Sequence, residues 1–196
     1  MGNIYFTSDL HLGHNRDFIF GPRGFTNVQD HDETIIRNWN ALVQPDDVVY
    51  ILGDIMLNDN VKGVRNFNRL NGTKYIILGN HDTRERKEIY KTQLFNTTVI
   101  GNATTFKYGK YNFYLSHYPT ITSNNDSEKP LVRKVINLFG HTHQKVNAYS
   151  DQDAMYHVGL DSHDNEPVEI NDIITWLENH HEEYIKKLEK KKARGA

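Results

Sequence analysis

The sequence contains no cysteine, only five prolines, and no long apolar run. Without cysteine there can be no disulfide framework, thiolate zinc site, iron–sulfur cluster or cysteine nucleophile, and the composition fits a reducing compartment. No stretch approaches the roughly 20 apolar residues of a membrane span. The opening Ile4-Tyr5-Phe6 lacks the basic n-region of a signal peptide. These absences lead us to expect a soluble, cytoplasmic protein without a membrane partner. Internal repeats and low-complexity stretches are also missing.

Charge is unevenly distributed along the chain. Lys186, Lys187, Lys190, Lys191, Lys192 and Arg194 form a basic tail against Glu189 alone. Setting these aside from 23 basic and 25 acidic residues leaves the body near −7. An acidic body without a basic stripe argues against a dedicated nucleic-acid binder. The tail reads as a solvated helix end or as a steering patch for an acidic partner. The length of 196 residues fits one domain over 1–196, able to bury a core without staples.

Short apolar runs bounded by Gly, Asn and Asp read as buried strands: Ile4–Ser8, Val48–Leu52, Tyr75–Leu78, Tyr111–Ser116 and Val135–Phe139. Between the first three lie helical patterns. One is Asp32–Val43, with Ile35, Ile36, Trp39 and Leu42 on a stripe; the other is Val61–Leu70, with Val64, Phe67 and Leu70. This βαβαβ order implies a partly parallel sheet with helices packed on it. From Thr97 to Val158 short strands follow one another, so mostly antiparallel pairing is expected there, with a hairpin turn at Tyr108-Gly109-Lys110. A long helix over about 171–192, capped by Asn171 or Asp172, closes the chain. The long loops Gly13–Asp30 and Tyr118–Arg133 are candidates for function.

The eleven histidines are the feature that needs an explanation. Polar clusters sit at or just past strand ends: Asp9-Leu10-His11, Gly53-Asp54, Gly79-Asn80-His81-Asp82, Ser116-His117 and Gly140-His141-Thr142-His143. In α/β sheets ligands bind outside the carboxyl ends of strands, so the clusters can converge on one crevice. They offer carboxylates, an amide carbonyl and imidazoles without sulfur, which suits Mn, Fe, Zn, Co or Ni. In an extended segment residues i and i+2 point the same way, so Asp9 with His11, and His141 with His143, can each serve one ion. Glycines before Asp54, Asn80 and His141 permit sharp turns and close backbone approach.

In this order, over about residues 4–161, the five motifs resemble the calcineurin-like metallophosphoesterases, in particular the small single-domain bacterial and phage branch. The resemblance implies an α/β fold, a four-layer αββα sandwich of two mixed sheets flanked by helices. It implies two divalent ions, Mn2+ first, with Fe, Zn, Ni, Co or Mg as alternatives. Asp9, His11, Asp54 and His143 would hold the first ion, and Asp54, Asn80, His117 and His141 the second, Asp54 bridging. Asn80 and an unligated His81 would contact the phosphoryl and leaving groups, and a hydroxide between the ions would be the nucleophile. After Asp54 comes Ile55-Met56-Leu57 rather than Val-Asp-Arg-Gly. That departure weighs against phosphoprotein or diadenosine tetraphosphate substrates and removes the acid that orients the equivalent of His81. Asp82 is no evident replacement.

The expected activity is hydrolysis of a small phosphodiester, nucleotide-like or cyclic, ahead of a monoester or a nucleic-acid end. A metal-binding interaction scaffold is the non-enzymatic alternative. Arg84 and Arg23 are candidate phosphate clamps, and His14 a substrate contact. His31, His180 and His181 fall on helix patterns and read as surface or interface residues. Asp161, after His157-Val158-Gly159-Leu160, reads either as a partner of a metal-binding histidine or as a turn cap. Related small phosphoesterases often form dimers or larger assemblies, so a homo-oligomer is an open expectation.

Overall fold

A computed structural model describes residues 2–124, 128–150 and 152–195, the side chains of 194 and 195 excepted. Residues 125–127 of the expected loop Tyr118–Arg133 and the Arg194 side chain of the basic tail lie outside the description.

The first half forms β1 (Ile4–Thr7), α1 (Asp17–Phe20), α2 (Val28–Leu42), β2 (Val48–Leu52), α3 (Asn60–Phe67), β3 (Thr73–Ile77), α4 (Arg84–Gln93) and β4 (Thr97–Gly101). The second half adds β5 (Ala103–Tyr108), β6 (Tyr111–Ser116), β7 (Val135–Phe139), β8 (Met155–His157), β9 (Val168–Glu169) and α5 (Ile170–Gly195). Side-chain caps set the helix starts: Asn27 accepts the Asp30 N–H, Asp59 that of Lys62, and Thr83 that of Arg86. The Asn27 cap is why α2 begins before the expected Asp32. Helix α5 begins directly after β9 at Ile170, so Asn171 and Asp172 lie inside its first turn and are not its cap.

The first sheet has the order β4-β3-β2-β1-β9, and the second β5-β6-β7-β8. In the first sheet β1 to β4 run parallel and β9 joins β1 antiparallel. In the second only β5 and β6 are antiparallel, linked by the expected tight turn with Gly109 at φ 55°. Strands β6, β7 and β8 pair in parallel, contrary to the antiparallel expectation. The connections 117–134 and 140–154 are long enough to carry the chain back across the sheet, as parallel pairing requires. Consequently the carboxyl ends of β6, β7 and β8 share one edge.

Alternation along the strands builds two cores. Tyr5, Val49, Ile51 and Ile76 face one way, onto Ile35, Trp39, Phe67 and Tyr90 of α2, α3 and α4. Phe6, Leu52 and Ile77 face the other way and pack with Phe113, Leu115, Ile136, Leu138 and Tyr156 of the second sheet and Ile173 and Leu177 of α5. The result is two mixed sheets face to face with helices packed against them. Ser8, just past β1, bridges Gly159, just past β8, which draws the carboxyl edges of the two sheets together. Leu42, expected on the buried stripe of α2, is 37% exposed. No helix among the described residues is long and apolar enough to cross a membrane.

Candidate metal centre

All five clusters meet at the joined carboxyl edges. Asp9 and His11 follow β1, Asp54 follows β2, Asn80 and His81 follow β3, His117 follows β6, and His141 and His143 follow β7. The backbone there is not extended, as the i, i+2 reading supposed. Asp9, His11, Asp54, His141 and His143 all take left-handed conformations, with φ of 58°, 49°, 56°, 68° and 48°. Non-glycine residues rarely adopt this region, and each costs of order 1–3 kcal/mol; such strain gathers at functional sites. The glycines earn their place by close approach. A Cβ on Gly53, itself at φ 94°, would lie 2.6 Å from His117 Nδ1, and one on Gly140 would lie 2.5 Å from Asp9 Oδ2.

The donor atoms fit a cation. Asp9 is fully buried, and its Oδ2 accepts the Ser8 hydroxyl and the His141 N–H, the latter at 2.9 Å. Its Oδ1 has no hydrogen-bond partner but lies 3.7 Å from His143 Nε2 and 4.0 Å from His11 Nε2. His117 Nδ1–H donates to the Leu52 carbonyl at 2.7 Å, which leaves Nε2 with only a lone pair. That lone pair faces Asn80 Oδ1 at 2.9 Å and Asp54 Oδ2 at 3.5 Å, acceptors with no proton between them. His143 Nδ1–H likewise donates to Asp161 Oδ2 at 2.9 Å, turning its Nε2 toward His11 Nε2 at 3.3 Å. An orphaned buried carboxylate oxygen and facing lone pairs are what a divalent ion would satisfy.

Donor atoms of Asp9, His11 and His143 lie within 4.8 Å of one another, as do those of Asp9, Asp54 and His117. Asp9 therefore belongs to both groups. Asp54 Oδ2 also stands between them, 4.0 Å from His11 Nε2 on one side and 3.5 Å from His117 Nε2 on the other. The His141 ring is 5.0 Å from that of His117 and 4.7 Å from the exposed Tyr118.

The electrostatics show what assembling this cluster costs. Burial pushes the Asp54 carboxyl up to about 6, with Asp9 adding to the rise while His117 opposes it. Burial, then the positive charge of Arg23, holds His11 well below the usual imidazole value. His14 is lowered by burial to about 4 and is therefore neutral; its Nδ1 meets His11 Nδ1 at 3.3 Å. Burial alone would lower His143, but the bond to Asp161 and the charge of Asp9 outweigh it and raise its pKa.

A cleft of about 480 Å3 opens on the cluster, lined by imidazoles and Asp54 together with Phe18, Ile19, Pro22 and Leu57. His81 stands at its mouth, its side chain 45% exposed and its Nε2 3.9 Å from Asp54 Oδ2. The His81 backbone is fixed at both ends, its N–H donating to Asp54 Oδ1 at 2.9 Å and its carbonyl accepting from Arg86 at 2.5 Å. His14 lines the cleft, with Phe18 against its ring at 5.7 Å. Arg84 is exposed at the start of α4 and is not among the residues lining the cleft.

Arg23 departs from the expected phosphate clamp. It is 8% exposed and turned inward, with its guanidinium on Asp161, His31 and the Asp9 carbonyl. His31, expected at the surface, is fully buried between Arg23 and Asp32. His181 is not a free surface residue either, because its Nδ1 bonds Asp153, the buried partner of Lys134. His180 stacks on Trp176 at 4.5 Å. Of the open readings for Asp161, the structure selects the histidine partner. Asp82 is a backbone clasp, accepting N–H groups of Asp54 and Gly79. The inward partners of Arg23 lie up to 138 residues away in sequence, and no local signal marks them.

A family model, the calcineurin-like phosphoesterase superfamily domain, matches residues 3–159. The chain belongs to this superfamily. It is accordingly a metal-dependent phosphoester hydrolase of the calcineurin-like type. A Gene 66 protein of Mycobacterium phage D29 is 30% identical over 203 aligned positions, covering 88% of this chain and 98% of the phage protein. An uncharacterized protein of Methanocaldococcus jannaschii is 35% identical over 121 residues, covering 61% of this chain and 60% of its own length. Among solved structures, a protein of unknown function from Aquifex aeolicus superposes with a TM-score of 0.66 at 21% identity, covering 90% of this chain and all of its own. That likeness concerns the fold. In this calcineurin-like phosphoesterase the closely placed donors are those of Asp9, His11, Asp54, His117 and His143.

Proposed function

We propose that the protein is a phosphodiesterase acting on a small nucleotide-like diester, with two divalent ions, Mn2+ first, held in the strand-end cluster. Asp9, His11, Asp54 and His143 would hold one ion, and Asp54, Asn80, His117 and His141 the other. Such a pair, when bound, supplies Lewis-acid polarisation of phosphoryl oxygens and lowers the pKa of water at the site.

The observation that carries the diester reading is the makeup of the cleft. Its described lining includes no lysine or arginine, and Phe18, Ile19, Pro22 and Leu57 make part of it apolar. Beyond the two ions, the described lining offers no lysine or arginine to meet the second negative charge of a monoester dianion. A diester carries one charge and a second substituent for which Phe18, Ile19 and Leu57 provide an apolar face.

His81, half exposed and with Nε2 3.9 Å from Asp54 Oδ2, would protonate the departing oxygen. The Asn80 amide supplies a hydrogen bond to a phosphoryl oxygen, and Asp54, besides joining the ligand groups, anchors the His81 backbone. His14, which lines the cleft, would contact substrate, and Arg84 would meet substrate extending beyond it. The test is hydrolysis of bis-p-nitrophenyl phosphate beside p-nitrophenyl phosphate, using metal-stripped protein resupplied with Mn2+. Metal-dependent preference for the diester supports the reading, and preference for the monoester overturns it. Inertness toward both with two ions bound would favour an interaction scaffold.

A further inference from the structure

We infer that Arg23 and Asp161 are a positioning pair for the metal cluster, the arginine fixing the carboxylate that dictates which nitrogen of His143 faces the ion. The inference rests on the metal-binding reading of the cluster.

Arg23 spends its guanidinium on three partners. Nε and Nη2 donate to Asp161 Oδ1 and Oδ2 at 3.1 and 2.8 Å, a two-pronged pair with side chains 0% and 3% exposed. Nη2 also donates to the Asp9 carbonyl at 2.7 Å, pinning the main chain of a residue held at φ 58°. Nη1 meets His31 Nε2 at 2.9 Å. His31 Nδ1 in turn contacts Asp32 Oδ1 at 3.0 Å, and Asp32 Oδ2 accepts from Gly13 N–H and Asn66 Nδ2.

Donor and acceptor directions agree along this chain. His31 Nδ1–H donates to Asp32, so its Nε2 is a bare acceptor for Arg23. Asp161 receives Arg23 on one side and His143 Nδ1 on the other, both at Oδ2. With the Arg23 guanidinium donating to both its oxygens, Asp161 is an acceptor toward His143, so His143 Nδ1 carries the proton and Nε2 presents its lone pair. That lone pair points to Asp9 Oδ1 and His11 Nε2.

Stability alone does not account for such a group. Removing two charges from water costs about as much as their attraction returns, so an apolar filling of the same volume would serve the core at least as well. What an apolar filling cannot do is choose the His143 tautomer or hold the Asp9 carbonyl. Lysine lacks the planar fork that grips both carboxylate oxygens.

The test compares wild type with Asp161→Asn, Arg23→Gln and Arg23→Lys. Calorimetry with Mn2+ on metal-free protein should show two binding events in wild type. Asp161→Asn, close to isosteric, should weaken one of them about 10- to 100-fold and leave the other unchanged. Arg23→Gln should do the same, with partial recovery in Arg23→Lys. Imidazole 15N shifts of the metal-free protein give a second readout: His143 should carry its proton on Nδ1 in wild type and on Nε2 in Asp161→Asn. Equal loss of both ions, or an unchanged tautomer with unchanged Mn2+ affinity in Asp161→Asn, overturns the inference. A wild-type protein that binds no Mn2+ would instead overturn the metal reading beneath it.

Discussion

Asp82 accepts the backbone N–H of Asp54 at 2.9 Å, so the third sequence cluster holds the main chain of the second. The same carboxylate takes the Gly79 N–H at 2.8 Å and the buried Tyr90 hydroxyl at 2.6 Å. This clasp lets Asp54 keep its left-handed backbone. Asp82→Ala should cost more than Tyr90→Phe, because it strands the Asp54 and Gly79 N–H groups, each worth about 1–3 kcal/mol when buried unpaired. Tyr90→Phe loses one hydrogen bond, about 1 kcal/mol. Urea unfolding of both variants checks the order, and equal losses would contradict the clasp.

Chelation should abolish phosphoester hydrolysis, and Mn2+ should restore it. Binding to the folded state alone also stabilises it, by about 2.7 kcal/mol at a hundredfold excess over Kd. The melting temperature should therefore rise with added Mn2+. Asp54→Asn should lower both metal content and this rise, read by elemental analysis beside thermal unfolding.

His81→Gln should leave metal content intact, because His81 is not among the proposed ligands and its side chain is 45% exposed. Its effect should depend on the leaving group. A diester releasing an alkoxide should lose about 10²–10⁴-fold in kcat, the range for a general acid. One releasing p-nitrophenolate, which departs without a proton, should lose far less. Equal losses would leave His81 no role as proton donor.

Phe18 is 70% exposed beside the cleft, so Phe18→Ala should not disturb folding. An aromatic contact of about 0.5–1.5 kcal/mol predicts a few-fold to about tenfold rise in KM for diesters with a planar substituent. A methyl-substituted diester should change little. Parallel kinetics on the two substrates decide the matter.

Lys74 is nearly buried, and burial lowers its pKa from the ordinary 10.5 to about 8. Its Nζ donates to the Leu70 carbonyl at 2.8 Å and lies 5.6 Å from the Phe67 ring centre. Between about pH 8 and 10.5 the unfolded chain holds this proton and the folded chain does not, so stability from this group rises with pH across that window. Below pH 8 both states are protonated and the penalty is constant. Lys74→Met should flatten the rise, measured as the difference between the two unfolding curves at pH 7.5 and 10. A rise of equal size in the variant would assign it to other groups.

The strands β2, β6 and β7 match their apolar runs residue for residue, because a short buried run between polar turns depends on neighbours close in sequence. The order of the five polar clusters was legible for the same reason: each follows its own strand. Parallel pairing of β6, β7 and β8 was not, since apolar runs do not encode the direction in which a returning chain lies down.

Composition and local order alone excluded thiol chemistry, marked the strand ends as the place of the site, and named its carboxylates and imidazoles. The tertiary structure alone decided the left-handed backbone that aims those groups, the orphaned oxygen of Asp9, and the inward turn of Arg23. A Gly-Pro-Arg-Gly loop looks the same in sequence whether its guanidinium meets solvent or a carboxylate 138 residues away. Hydrogen-bond partners across such distances are fixed only when the sheets close, because satisfaction of a buried charge depends on every wall around it.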